Sequence, residues 1–267
     1  MSKYLVVFRV ALADRLVYRA DFFISTFLMF IPIVTTILLW GAIYEGAGRE
    51  EVGGLHYTQM VSYYLLVMVT RAFASMPQLA STIATDIREG DLRKYLLQPI
   101  DYLSYLLTLR AAHKLVYFVM AAVPYALVFW MCRRYLPAAP SGDMLVMGIV
   151  SLLLAFLLGF AINVVIGLLG FWFLEINSFL HVFMTVQYFL SGHMFPLSLL
   201  PEWVQRAVLV LPFAYETYYP ALILLQRVDP ARAVEIVLVQ LLWVAALGAL
   251  ARLAWHWGLR RYAAFGG

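Results

Sequence analysis

Residues 144–174 read MLVMGIVSLLLAFLLGFAINVVIGLLGFWFL, 31 consecutive positions without a formal charge. As one straight helix this run would be about 46 Å long, at 1.5 Å per residue. The hydrocarbon core of a bilayer is only about 30 Å thick. The run is therefore a membrane span that must tilt, or break near Gly167 and Gly170.

The same pattern recurs on both sides of it. Apolar runs extend from Phe22 to Tyr44, from Tyr57 past Arg71 to about Ala80, and from Leu115 to Cys132. Others extend from Ile176 to Pro201 and from Ala233 to Trp257, which makes six candidate spans. Composition agrees: 64% of the 267 residues are hydrophobic and 13% are charged, with a mean hydropathy of +0.85. Too few polar residues are present to cover a soluble fold, so a soluble enzyme, a disordered chain and a secreted disulfide scaffold are excluded. Cys132 is the sole cysteine, which rules out an intrachain disulfide or a cysteine metal cluster. Lys3, Arg9, Asp14, Arg15 and Arg19 are spread over the first 20 residues, unlike a signal peptide, so the N-terminus is expected to be retained.

Basic residues orient the spans. Twelve of the 19 fall on the loops and ends that six spans place on one side: Lys3, Arg9, Arg15, Arg19, Arg88, Arg93, Lys94, Arg110, Lys114, Arg252, Arg260 and Arg261. Six fall on the other loops: Arg49, Arg133, Arg134, Arg206, Arg227 and Arg232. Lys and Arg are retained in the cytoplasm, so both termini are read as cytoplasmic. The Arg133-Arg134 pair runs against that bias.

Motifs for catalysis or nucleotide binding are missing. There is no Walker A sequence, no H-E-x-x-H and no G-x-S-x-G. His56, His113, His181, His193 and His256 lack ligand spacing. No enzyme activity, cofactor, metal or nucleic-acid partner is expected. Near the bilayer midplane the candidates are Arg71 and little else, and Arg71 is read as a snorkelling or pairing arginine ahead of a substrate-binding one. No buried carboxylate is expected, which argues against proton or sodium coupling and places any energy source in another subunit.

Three segments carry more information. Ser151, Ala155, Gly159, Asn163 and Gly167 recur every four residues, a row of small side chains that lets helix backbones approach closely. It serves either packing within the chain or a subunit interface, with Asn163 bonding across the contact. Residues 81–101 read STIATDIREGDLRKYLLQPID. Gly90 suits the position after a helix end and Asp91 the cap of the next helix, which Pro99 stops. A short amphipathic helix over Leu92–Leu97 follows, either a connector or a docking helix for a cytoplasmic partner. Within residues 1–20, Leu5, Phe8, Leu12 and Leu16 form an apolar stripe suited to an interfacial helix. Between residues 196 and 220, Pro196, Pro201, Pro212 and Pro220 interrupt a stretch too apolar for a free loop, so a re-entrant or interfacial hairpin fits.

The whole chain resembles the permease subunits of type-2 ABC exporters, the group that includes daunorubicin-resistance-like permeases. Its N-terminal helix, the segment Ile87-Arg88-Glu89-Gly90-Asp91-Leu92 … Leu97-Gln98-Pro99-Ile100-Asp101 and the pattern Gly192-His193-Met194-Phe195-Pro196-Leu197 … Leu200-Pro201-Glu202-Trp203 … Leu211-Pro212-Phe213 match in order and spacing. The resemblance implies an all-α polytopic membrane protein, a single permease domain over residues 1–267. It would have six transmembrane helices, an N-terminal interfacial helix (1–20), a cytoplasmic coupling segment (81–101) and an outer re-entrant hairpin (196–219) before the last span. Asp86, Ile87, Arg88, Glu89, Gly90, Asp91, Leu92 and Arg93 would contact a cytoplasmic ABC ATPase. Gly192, His193, Phe195, Pro196, Pro201, Trp203 and Pro212 would shape the outer hairpin. The permease would pair with a second one, identical or related, in the cell membrane, and export a hydrophobic drug, peptide or lipid by alternating access. A non-transport membrane component (a sensor, assembly or immunity protein) is the alternative.

Overall fold

The computed structural model describes residues 3–15, 28, 30–48, 50–173 and 175–265. Eleven α-helices lie among them: α1 (Lys3–Arg15), α2 (Ile31–Ala47), α3 (Tyr57–Ala74), α4 (Leu79–Arg88), α5 (Leu92–Leu96), α6 (Tyr102–Met131), α7 (Gly142–Leu168), α8 (Asn177–Leu190), α9 (Glu202–Val210), α10 (Tyr218–Leu224) and α11 (Pro230–Phe265). A two-stranded hairpin pairs β1 (Glu51–Val52) with β2 (Leu55–His56). The start of the predicted first span (residues 22–27 and 29) lies outside the described residues, as do Leu16, Arg19, Arg49 and Leu174.

Among the described residues three helices are long and apolar enough to cross a membrane: α6, α7 with its 3-10 extension to Phe171, and α11 over Pro230–Tyr262. A fourth span results if Glu202–Val210 and Pro212–Leu224, bent by 73°, count as one. The structure differs from the six predicted runs in three places. The run from Tyr57 stops at Ala74: Pro77 disfavours helix at the residue before it, and Gln78, with φ of 61°, turns the chain into α4. The run Ile176–Pro201 is α-helical only over the 14 residues of α8, about 21 Å. The third run starts earlier: Asp101 caps α6 by accepting the Ser104 N–H at 2.8 Å, so Arg110 and Lys114 lie inside the helix.

The chain forms two compact units. The first comprises Met1–Leu65 and Lys94–Ala138. There α1 lies against α6, and the Lys3 ammonium donates to the Pro99 carbonyl. Rings knit the rest: Phe30 meets Tyr125 edge-on at 5.4 Å, and Trp40 packs on Tyr64 at 6.2 Å. The β-hairpin turns on Gly53 and Gly54, whose φ angles of 61° and 76° suit a two-residue turn.

The second unit comprises Leu66–Arg93 and Ala139–Gly267, with α7 at its centre. Helix α7 packs along α11 and against α4 and α10. The long uncharged run breaks at its glycines: α-helix ends at Leu168 and a 3-10 turn covers Leu169–Phe171. Gln240 of α11 is fully buried and bridges three chain segments. Its amide donates to the carbonyls of Ser151 and Tyr215, each at 2.9 Å, and its carbonyl accepts the Ser151 hydroxyl at 2.9 Å. An amide at an apolar helix contact must find such partners, because lipid offers none.

Candidate functional site

The segment Asp86–Arg93 belongs entirely to the second unit. It starts in α4, whose buried residues Leu79, Ala80, Ile83 and Ile87 repeat at helical spacing. These seat α4 on α7 where glycine makes room. A Cβ on Gly167 would stand 2.8 Å from Ile83 Cβ and 2.9 Å from the Ala80 carbonyl oxygen. Below this contact, Ile176 and Leu180 pack on Ala80.

Helix α4 ends with Glu89 as its C-cap, and Gly90 follows in the left-handed region with φ of 83°. Only Gly takes that angle without strain. Asp91 then leads into α5, at Leu92–Leu96 one residue shorter than expected. The turn sorts its side chains by chemistry. Ile87 and Leu92 are buried, whereas Arg88, Glu89, Asp91 and Arg93 face outward. Beyond them Leu96 and Leu97 are exposed, Leu97 by 87%. The eight residues read as a contact surface thus divide into two apolar anchors and a presented row of charge. Arg88 reaches Glu89 and Glu175, both at 3.5 Å, which ties the turn to the α7–α8 connection. Such exposed pairs add ~0–1 kcal/mol, so they orient rather than hold.

The small-residue row of α7 lies inside this unit. Ser151 faces α11 through Gln240, and Gly159 faces the end of α3, where a Cβ would stand 2.1 Å from the Ala74 carbonyl oxygen. Gly167 faces α4. A four-residue step advances about 40° around a helix, so the row winds past three neighbours in turn. Ala155 is fully buried as well. Asn163 departs from expectation: its amide donates at 2.8 Å to the Gly159 carbonyl of its own helix, not across the contact. The asparagine thereby keeps its polar group off the apolar interface.

The hairpin segment starts after α8, where Gly192 takes φ of 77°. Phe195 packs on Phe189 at 6.3 Å, Pro196 opens a 3-10 turn over Leu197–Leu199, and Pro201 precedes α9. Trp203 on α9 is 77% exposed, and Pro212 starts the second arm. Arg71 of α3 donates to His193 Nε2 at 3.0 Å, which places the proton of a neutral imidazole on Nδ1. The guanidinium also lies 5.9 Å from the Tyr188 ring, so Arg71 is a pairing arginine.

Glu216 overturns the expectation that no carboxylate is buried. It is 3% exposed, and the Gln187 amide donates to both its oxygens, at 2.8 and 3.0 Å. A Cβ on Gly159 would come within 3.2 Å of Glu216 Oε1. The hairpin folds back onto α7 and α8, so a residue outside every apolar run is enclosed. The available signal was its isolation: Glu216 is the only acidic residue between Glu202 and Asp229.

No curated protein matches the sequence. The sequence model of a family described as ABC-2 family transporter protein matches residues 30–266. That match takes in α2 to α11, the turn at Asp86–Arg93, the small-residue row and the hairpin. The chain therefore belongs to the ABC-2 transporter family, as the multi-pass membrane permease of an ABC transporter, a membership that implies partnership with an ABC ATPase subunit.

Proposed function

We propose that this permease exports a hydrophobic substrate by alternating access, and that the turn Asp86–Arg93 is where its ATPase drives it. One observation carries the reading: α7 holds the docking turn and the hairpin at two glycines eight residues apart. Gly167 seats α4 and Gly159 seats the Glu216 region, about 12 Å along one helix. A displacement of α4 by the ATPase is transmitted to the hairpin through a packed contact instead of a flexible linker. The presented side chains Arg88, Glu89, Asp91 and Arg93 supply complementary charge.

In this reading two permeases, identical or related, share two ATPases in the cell membrane, and the chain acts as one permease domain with cytoplasmic termini. Closure of the ATPase dimer on ATP draws the two docking turns together and reorients the spans. The hairpin then gates the outer end of the path. A path with few charges suits an apolar drug, peptide or lipid, as in the daunorubicin-resistance-like group.

The test is charge reversal at Arg88 and Arg93 together, read as ATPase co-purification and transport. Both exposed residues lie off the buried face, so folding is retained while assembly falls. Unchanged assembly together with unchanged transport refutes the docking role.

A further inference from the structure

We infer that the end of α6 holds an anionic glycerophospholipid, its phosphate on Arg133 and Arg134 and its acyl chains along the exposed face of the helix. The two arginines follow α6 directly, in a 3-10 turn over Arg133–Tyr135, and both are exposed. Each guanidinium lies over an aromatic ring: Arg133 is 5.4 Å from the Trp130 ring and Arg134 4.6 Å from the Tyr135 ring. Arg134 also donates to the Tyr135 hydroxyl. Neither forms an ion pair with a carboxylate among the described residues.

An arginine after a helix commonly offsets the partial negative charge of its last carbonyls. Among the described residues, neither guanidinium here donates to a carbonyl of α6. Two adjacent positive charges therefore stand over aromatic rings with their hydrogen-bonding edges unclaimed by carboxylates. That arrangement fits a phosphate, which the guanidinium fork matches in geometry.

The helix below supplies the rest of the site. Leu115, Val119, Val123, Leu127 and Trp130 share one face of α6, and each is at least half exposed: 50%, 68%, 75%, 50% and 62%. Trp130 marks the interfacial level, where such rings gather. One leaflet is about 15 Å deep, about ten residues of helix, which takes in Val123 and Leu127. Lipid tails cover this stripe while the headgroup meets the arginines. The pair that runs against the distribution of basic residues thereby has a local counter-charge.

The experiment is native mass spectrometry of the full-length protein from detergent, titrated with phosphatidylglycerol, phosphatidylcholine or inorganic phosphate. Wild type is expected to retain one more phosphatidylglycerol than Arg133→Gln/Arg134→Gln, whose affinity falls on the order of 30-fold. Arg206→Gln, which removes an exposed guanidinium paired with Glu202 at 3.2 Å, retains wild-type binding. Should the double variant fail to fold, Trp130→Ala alone is expected to lower retention. Retention by Arg133→Gln/Arg134→Gln equal to wild type, or by Trp130→Ala equal to wild type, overturns the site. So does equal retention of phosphatidylcholine, competition by inorganic phosphate at similar concentration, or a protein dimer that excludes lipid from the stripe.

Discussion

Gly159→Ala is the substitution whose effect the structure bounds most tightly. A Cβ there would stand 2.1 Å from the Ala74 carbonyl oxygen, and real Cβ contacts essentially never fall below 3.0 Å. The end of α3 and α7 must part by about 0.9 Å, and the obstacle is backbone, which has no alternative rotamer. Overpacking a well-filled contact costs ~1–3 kcal/mol, and a backbone clash belongs at the upper end. Alanine returns about 1 kcal/mol through its helix propensity. The net loss is about 2 kcal/mol, or a fall of about 4–8 °C in unfolding midpoint for a chain of this size. The assay is a thermal melt of the purified protein followed by size-exclusion fluorescence. Gly248→Ala on α11 is the control, because a Cβ there meets nothing within 4 Å. Its midpoint is expected to match or exceed wild type. A Gly159→Ala midpoint equal to that of the control refutes the close approach and, with it, the seat of the hairpin on α7.

Two further outcomes follow from buried polar groups. Gln240→Leu removes three hydrogen bonds between α11, α7 and Tyr215; at about 0.6 kcal/mol each the loss approaches 2 kcal/mol, read in the same melt. Glu216→Gln keeps a carbonyl for the Gln187 amide and melts like wild type, whereas Glu216→Ala strands that amide and lowers stability by ~1–3 kcal/mol. Equal melts for the two Glu216 variants would show that the carboxylate is not held as described.

How much of this was legible in the residues depends on the range of the forces involved. The uncharged run 144–174, its break at the glycines and the turn at Gly90 are local matters of periodicity and backbone angle, and they read directly from sequence. The helix limit at Ala74 did not, because hydropathy measures composition and not where the backbone turns. The stretch from Tyr57 to Ala80 reads as one run past Arg71, yet Pro77 and Gln78, the latter in the left-handed region, divide it. The burial of Glu216 was hidden for a different reason. It arises only when the hairpin folds back on α7 and α8, a contact between residues 29 and 57 positions apart in the chain, at Gln187 and Gly159. Asn163 is intermediate: its position in the small-residue row was plain, but not its bond back to its own helix, a choice that close packing imposes.

The most direct test of docking at Asp86–Arg93 is a site-specific cross-link to the ATPase. Cys132 is the only cysteine and is buried, so Cys132→Ser gives a background for single-cysteine variants. In that background Asp91→Cys is expected to form a permease–ATPase product with a short maleimide–succinimidyl ester linker, which joins the introduced thiol to an ATPase lysine amine, and Trp203→Cys on the hairpin is expected to form none. A product from Trp203→Cys with none from Asp91→Cys would contradict the assignment of the docking turn.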